Sequence, residues 1–357
     1  MALSTDKKLY IAVGVLVVLG GALYFQKKQA KEEAATYSLA GREKELPKLD
    51  IKDADIKKVD TITITQPPGD AGKPAQVVLK KNGKTWELDK PVSAKANQSN
   101  IKSLLDNVKD LEVSEVIDDG TKSYDKFSVS DSKAVHVVLD AGKTKVADLY
   151  FGESGSRGEM TRIAGKDGVY AVQGYSSFMY SRDTKGWRDL TIFKFDDKKA
   201  KEVEVDNENG TFTFAKKDDK WTGKFKKASG ADKKVGKLDP DKFEPSKVGD
   251  LLRAYKALNA DGFGDDKKPA DVGLTEPKAT VTVTMADGGK KVLLVGDKAE
   301  GSSHWAKKPD EAQLYSISSW AADWATAEPK KFEKGNNDKS KAPPGGMHGM
   351  MPHGMPH

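Results

Sequence analysis

Cysteine is absent from the 357 residues, which removes disulfides, zinc–thiolate sites, iron–sulfur clusters and thiol nucleophiles together. Arginine is scarce, standing only at 42, 157, 162, 182, 188 and 253, so the basic side chains are overwhelmingly lysine. Nucleic-acid surfaces gather Arg and Lys on one face with stacking aromatics. Here lysine is interleaved with Asp and Glu, as around Asp218, and a net charge of +6 is small beside 60 basic and 54 acidic residues. That is a solvated mixed-charge surface, and no nucleic-acid partner is expected. Histidine is rarer still: only His136 and His304 precede the carboxyl tail. Neither belongs to a nucleophile–base–orienter set, so no enzyme is expected. The many carboxylate pairs, such as Asp118-Asp119 and Asp265-Asp266, follow from composition.

Long hydrophobic runs are missing except for one. Leu9–Phe25 is uncharged and mostly apolar, bounded by Lys7, Lys8, Lys27 and Lys28. Its seventeen residues are the short end of what crosses a hydrocarbon core of roughly 30 Å at about 1.5 Å per residue. Tyr10, Tyr24 and the lysines suit the interfaces. No small-x-small cleavage site follows, so a retained single-pass anchor is expected. The literal lysine count leans towards a cytoplasmic body, whereas long domains translocate largely regardless of charge. Charge alone leaves the side open.

What is present is a pattern written twice. Ile101, Leu104, Leu105, Val108 and Leu111 fall at helical spacing after a strand with Trp86; Val248, Leu251, Leu252, Tyr255 and Leu258 repeat that spacing after a strand with Trp221. Asn97 or Ser99 caps the first helix, and Pro245 opens the second. Alternating strands precede each helix (Val59–Ile64, Val77–Leu79, Thr85–Leu88; Lys201–Val205, Thr211–Phe214, Lys220–Thr222), with Asn82-Gly83 as a hairpin turn. After each helix, Ala134–Leu139 matches Ala279–Thr284, Val146–Gly152 matches Val292–Gly296, and Val169–Val172 matches Leu314–Ile317. The offset drifts from 135 at the tryptophans to 147 at the helices, through an insertion at Lys226–Asp239. The expected fold is α+β: two tandem repeats, each a mostly antiparallel sheet with one amphipathic helix, after a transmembrane helix. The expected organisation is a flank at 1–8, an anchor at 9–25, a polar stalk at 26–55, repeats at 56–195 and 196–332, and a tail at 333–357.

Chemical motifs fail on spacing. Gly-Lys-Thr at 83–85 and 142–144 would be phosphate loops only with a Gly at Val78 or Val137. Gly152–Gly158 lacks nucleophile-elbow and dinucleotide spacing and reads as a loop, with no base for Ser154. His136 reads as a half-exposed strand residue. The aromatic set Tyr175, Phe178, Tyr180, Trp187, Trp320 and Trp324 reads as core filling before a glycan-binding groove. The tail alone has metal-ligand chemistry: His348, Met350, Met351, His353, Met355 and His357 suit copper first, with nickel or zinc through His as second choices, and no other cofactor is expected.

The Trp86-Glu-Leu-Asp-Lys-Pro91 strand end, the Leu104-Leu105 helix, the Gly168-Val-Tyr170 strand and the Val272-Gly273-Leu274-Thr-Glu-Pro277 turn occur in an order that resembles the bacterial family called domain of unknown function 4340. The resemblance spans roughly residues 56–330 and departs at Phe127-Ser128-Val129, which lacks the Gly-Leu of the second copy. It implies an inner-membrane protein with a periplasmic body and a protein partner in a membrane complex, such as an ABC-type transport system of the gliding kind. It implies no enzymatic activity and names no small-molecule substrate. A copper-handling protein is the alternative, and an envelope glycan binder the weaker one.

Overall fold

The computed structural model describes residues 26, 46–49, 51–69, 75–175, 177–230 and 235–335. The expected anchor at 9–25 and the tail residues from 336 on lie outside them. Among the described residues no helix is long and apolar enough to cross a membrane. The chain divides into two compact units, Met1–Asp189 and Leu190–His357.

The first unit holds α1 (Asp53–Ile56), β1 (Thr61–Thr65), β2 (Gln76–Asn82), β3 (Thr85–Lys90), β4 (Ala94–Lys95), α2 (Gln98–Lys109), β5 (Glu112–Asp118), β6 (Val135–Ala141), β7 (Thr144–Gly155), β8 (Gly158–Ile163), β9 (Val169–Gln173) and α3 (Ser177–Tyr180). Its strands form one antiparallel sheet in the order β4-β3-β2-β1-β6-β7-β8-β9-β5. Strand β1 shows why: Ile62 and Ile64 are fully buried while Thr61, Thr63 and Thr65 alternate with them on the wetter face. The Asn97 side chain accepts the Asn100 N–H at 3.1 Å and caps α2. Ile101, Leu104 and Val108 then pack on Ile62, Ile64, Leu79 and Leu88, each stabilising by roughly 1.5–3 kcal/mol.

The second unit holds β10 (Ala200–Asn207), β11 (Gly210–Lys217), β12 (Lys220–Lys227), α4 (Ser246–Tyr255), β13 (Gly262–Phe263), β14 (Ala279–Met285), β15 (Lys290–Lys298), β16 (His304–Lys307), β17 (Leu314–Ile317) and α5 (Ser319–Ala325). Its order, β12-β11-β10-β14-β15-β16-β17-β13, is that of the first sheet without β4. Val248, Leu251, Leu252 and Tyr255 of α4 pack on Val203, Val205, Phe212 and Phe214. The fold is α+β, strand-dominated and mostly antiparallel. It departs from one helix per unit, because the short helices α1 and α3 join α2 in the first unit and α5 joins α4 in the second. Helices α3 and α5 follow closely on the last strands, within aromatic segments too short to show a helical period.

The registers make the two frames equivalent strand by strand. Ile62 and Ile64 face Leu139 and Val137, as Val203 and Val205 face Val283 and Val281. Val135 faces Phe151 as Ala279 faces Val295. Val135, not Ala134, therefore stands where Ala279 does, and the sequence match is one residue out; such a slip exchanges the buried and wet faces. Finer devices repeat as well. The Gln66 amide donates to the Tyr180 carbonyl at the end of α3, and Asn207 donates to Ala325 O at 2.8 Å and Ala327 O at 3.1 Å at the end of α5. Ser128 and Gly273 both hold left-handed backbone, at φ 58° and 68°. The loops carrying them press on Gly152 and Gly296, where a Cβ would meet Phe127 O at 2.2 Å and Val272 O at 2.3 Å. Where the second copy has Gly-Leu, the first thus makes the same turn with Ser-Val, at the steric cost of one non-glycine residue in that region.

Candidate functional site

A dense polar group forms a row across β6, β7 and β8 on the wet face of the first sheet. His136 is directly opposite Tyr150, and Tyr150 is opposite Arg162. The imidazole stacks on the phenol at 3.8 Å between ring centres and 7° between planes. The Arg162 guanidinium lies 3.5 Å from the centre of the same ring and 4.9 Å from that of Tyr124. Asp148 ties the row together: Oδ1 is 2.7 Å from His136 Nε2, and Oδ2 accepts from Lys145 Nζ at 2.8 Å. Burial pushes the Asp148 carboxyl up, but the hydrogen bonds from Lys145 and His136 outweigh it and hold the group below the ordinary carboxylate range. Its bond to Asp148 raises Lys145 in turn. Arg162 pairs with Asp131.

The charges of the row are paired, while Arg162 Nε is buried without a hydrogen-bond partner among the described residues. Tyr150 carries the imidazole and the guanidinium against its ring, and the cations Lys145 and Arg162 each have a carboxylate. The second unit builds the same frame without it: by register, Thr280, Val292, Leu294 and Lys307 stand for His136, Asp148, Tyr150 and Arg162. His136 is half-exposed on its strand, as the alternation implies. The partners escape sequence reading because only the register brings 136, 148, 150 and 162 together.

A second pair lies at the far end of β7 and β8. Gly152–Gly158 is not a loop but the hairpin joining these strands, with Ser154 opposite Glu159 and Gly155 opposite Gly158. The Ser154 hydroxyl donates to the Glu159 carboxylate. Glu159 is 5% exposed, and burial raises its pKa against the lowering bond from Ser154. The serine hydroxyl thus has a buried carboxylate, with no imidazole between them, as its hydrogen-bond partner. The same register point in the second unit is Lys298 opposite His304. Burial and then Lys298 push His304 below its ordinary range.

The aromatic set goes mainly to the cores. Tyr180 and Trp187 are fully buried, Trp324 is buried, and Tyr175 and Trp320 pack at the core margins. Only Phe178 is exposed, at 59%, with Arg182 beside its ring. Both Gly-Lys-Thr stretches are hairpin turns, with Gly83 and Gly142 at positive φ. His348, Met350, Met351, His353, Met355 and His357 lie outside the described residues. Among the described residues no group of three or more His, Asp or Glu could hold a metal ion.

Two strand-dominated units, sharing one sheet order apart from β4 but with differing polar groups at matched positions, define a duplicated α+β protein. The family described as Domain of unknown function (DUF4340) matches it over residues 86–277, and the chain belongs to this family. The match opens at Trp86 on β3 and closes at Pro277 before β14, so it takes in parts of both units. No curated protein matches the chain.

Proposed function

We propose that the protein is a non-enzymatic scaffold of a bacterial envelope complex, held in the inner membrane by Leu9–Phe25 with its body in the periplasm, where it binds a protein partner of an ABC-type, gliding-like transport system. One observation carries this reading: matched positions keep backbone geometry and core while their chemistry changes, from Ser154 and Glu159 to Lys298 and His304 and from His136 to Thr280. A frame kept twice with unlike polar groups favours shape over a reaction. Crosslinking in cells followed by pull-down from membranes tests it. Transporter subunits are expected with the protein; recovery of the protein alone sinks the proposal. A reporter fused after residue 340 that is active only in the cytoplasm would refute the periplasmic placement.

The second reading rests on the carboxyl tail, whose alternation of His and Met is the ligand set for copper. It makes the protein a metal carrier, with the two units as its support.

A further inference from the structure

The two units differ most at one sheet edge, and the first unit shows what that edge accepts. There β3 is covered: β4 pairs along it, with Glu87 opposite Lys95 and Leu88 opposite Ala94. Beyond β4 the Gln98 carboxamide completes the edge, accepting the Trp86 N–H at 2.8 Å and donating to Trp86 O at 2.9 Å. In the second unit, Trp221 faces Lys216 as Trp86 faces Lys81. The N–H and C=O of Trp221 therefore point away from β11, and the antiparallel alternation turns those of Gly223 and Phe225 the same way. Among the described residues no hydrogen bond reaches the backbone on this side of β12, although the Lys227 ammonium at the strand's end donates to Val235 O at 2.8 Å. The position of Gln98 falls to Pro245 beside α4, which has no side-chain amide. The chain leading into α4 turns instead, with Lys242 N–H bonded to Asp239 O at 3.1 Å. Its Phe243 ring fills the space over Gly223, where a Cβ would meet it at 2.8 Å.

We infer that the bare edge of β12 is a docking site for an extended segment of a partner protein in which acidic residues alternate with apolar ones, added as an antiparallel strand. Backbone pairing supplies the attachment, as in other strand additions. The side chains set the pattern. Lys220, Lys224 and Lys226 are exposed on one face, and none has a carboxylate partner among the described residues. Trp221 and Phe225 are half-buried on the other, whereas Trp86 under its cover is buried. Acidic residues of the incoming strand meet the lysines, and its apolar residues extend the cover over Trp221 and Phe225. A second copy of β12 is the wrong occupant, because it would set lysine against lysine.

The inference deepens the scaffold reading by naming its edge and its partner's pattern. The full-length chain in detergent is mixed with a capped eight-residue peptide alternating Glu and Val, or with its Lys–Val counterpart, and followed by hydrogen–deuterium exchange. The Glu–Val peptide slows exchange over Lys220–Lys227 and moves Trp221 emission to shorter wavelength; the Lys–Val peptide does neither. The Lys224→Glu/Lys226→Glu double variant, with an unchanged thermal melt, binds the Glu–Val peptide about tenfold more weakly and prefers the Lys–Val peptide. No slowing over β12, equal slowing by both peptides, or slowing confined to β5 or β13 overturns the inference. Subunit recovery from membranes that is unchanged in the double variant sinks the edge and leaves the scaffold. Peptide binding at β12 with no subunit recovered sinks the scaffold and leaves the edge.

Discussion

Glu159 and His304 occupy the same register point of the two sheets, and burial favours the neutral form of each. For Glu159 the folded-state pKa lies above the unfolded one. Its contribution is therefore fullest at low pH and is lost as pH rises through the folded value. Glu159→Gln keeps an acceptor for Ser154 without a buried charge, so it should raise the urea midpoint at pH 7 and change it less at pH 4. His304 has the opposite sense. Its folded pKa lies below 6.5, so its stabilisation is complete above about pH 6.5 and lost as pH falls through the lower folded value. His304→Gln should flatten the stability profile on the acid side of 6.5; an unaltered profile in unfolding curves from pH 7.5 to 5 would refute this. Neither residue could be ranked from sequence, where Glu159 is one of 54 acidic residues and its burial depends on a hairpin that reads as a loop.

The main helices were legible because apolar spacing of three and four survives any tertiary context, and Asn97 caps α2 as its residue type implies. The first strands were legible through their period of two. The register was not: Ala134 and Val135 are both apolar, and only pairing with Phe151 decides between them. The short helices were hidden for a related reason, since seven residues of Ser319–Ala325 give less than two turns of pattern. What holds these helices is the amide from the end of each unit's first strand. Gln66→Ala and Asn207→Ala should each cost about 1–2 kcal/mol, because the helix-end carbonyls lose donors in a mostly buried setting. Asn207→Ala should cost less than the full removal of its two bonds if Asn209, whose amide lies 3.4 Å from Ala327 O, takes over. Denaturant unfolding of the single and double Asn variants measures both.

At the scale of the whole molecule, the repeated frame could be read from sequence, and the matched family runs across both units. The tail is a separate question of ligand chemistry. The full-length chain should bind Cu(I) in isothermal titration, and a chain ending at Pro344 should not; equal binding by both would remove the metal-carrier reading. The clasps described for α3 and α5 also bear on the order of events during synthesis. Gln66 waits for Tyr180, and Asn207 for Ala325 and Ala327, separations of 114, 118 and 120 residues. The first strand of each sheet is thus fastened by residues that follow the last strand of its own unit. A ribosome must release most of a unit before this clasp can close, so until then β1 and β10 rely on pairing with the strands that follow them, β2 and β11.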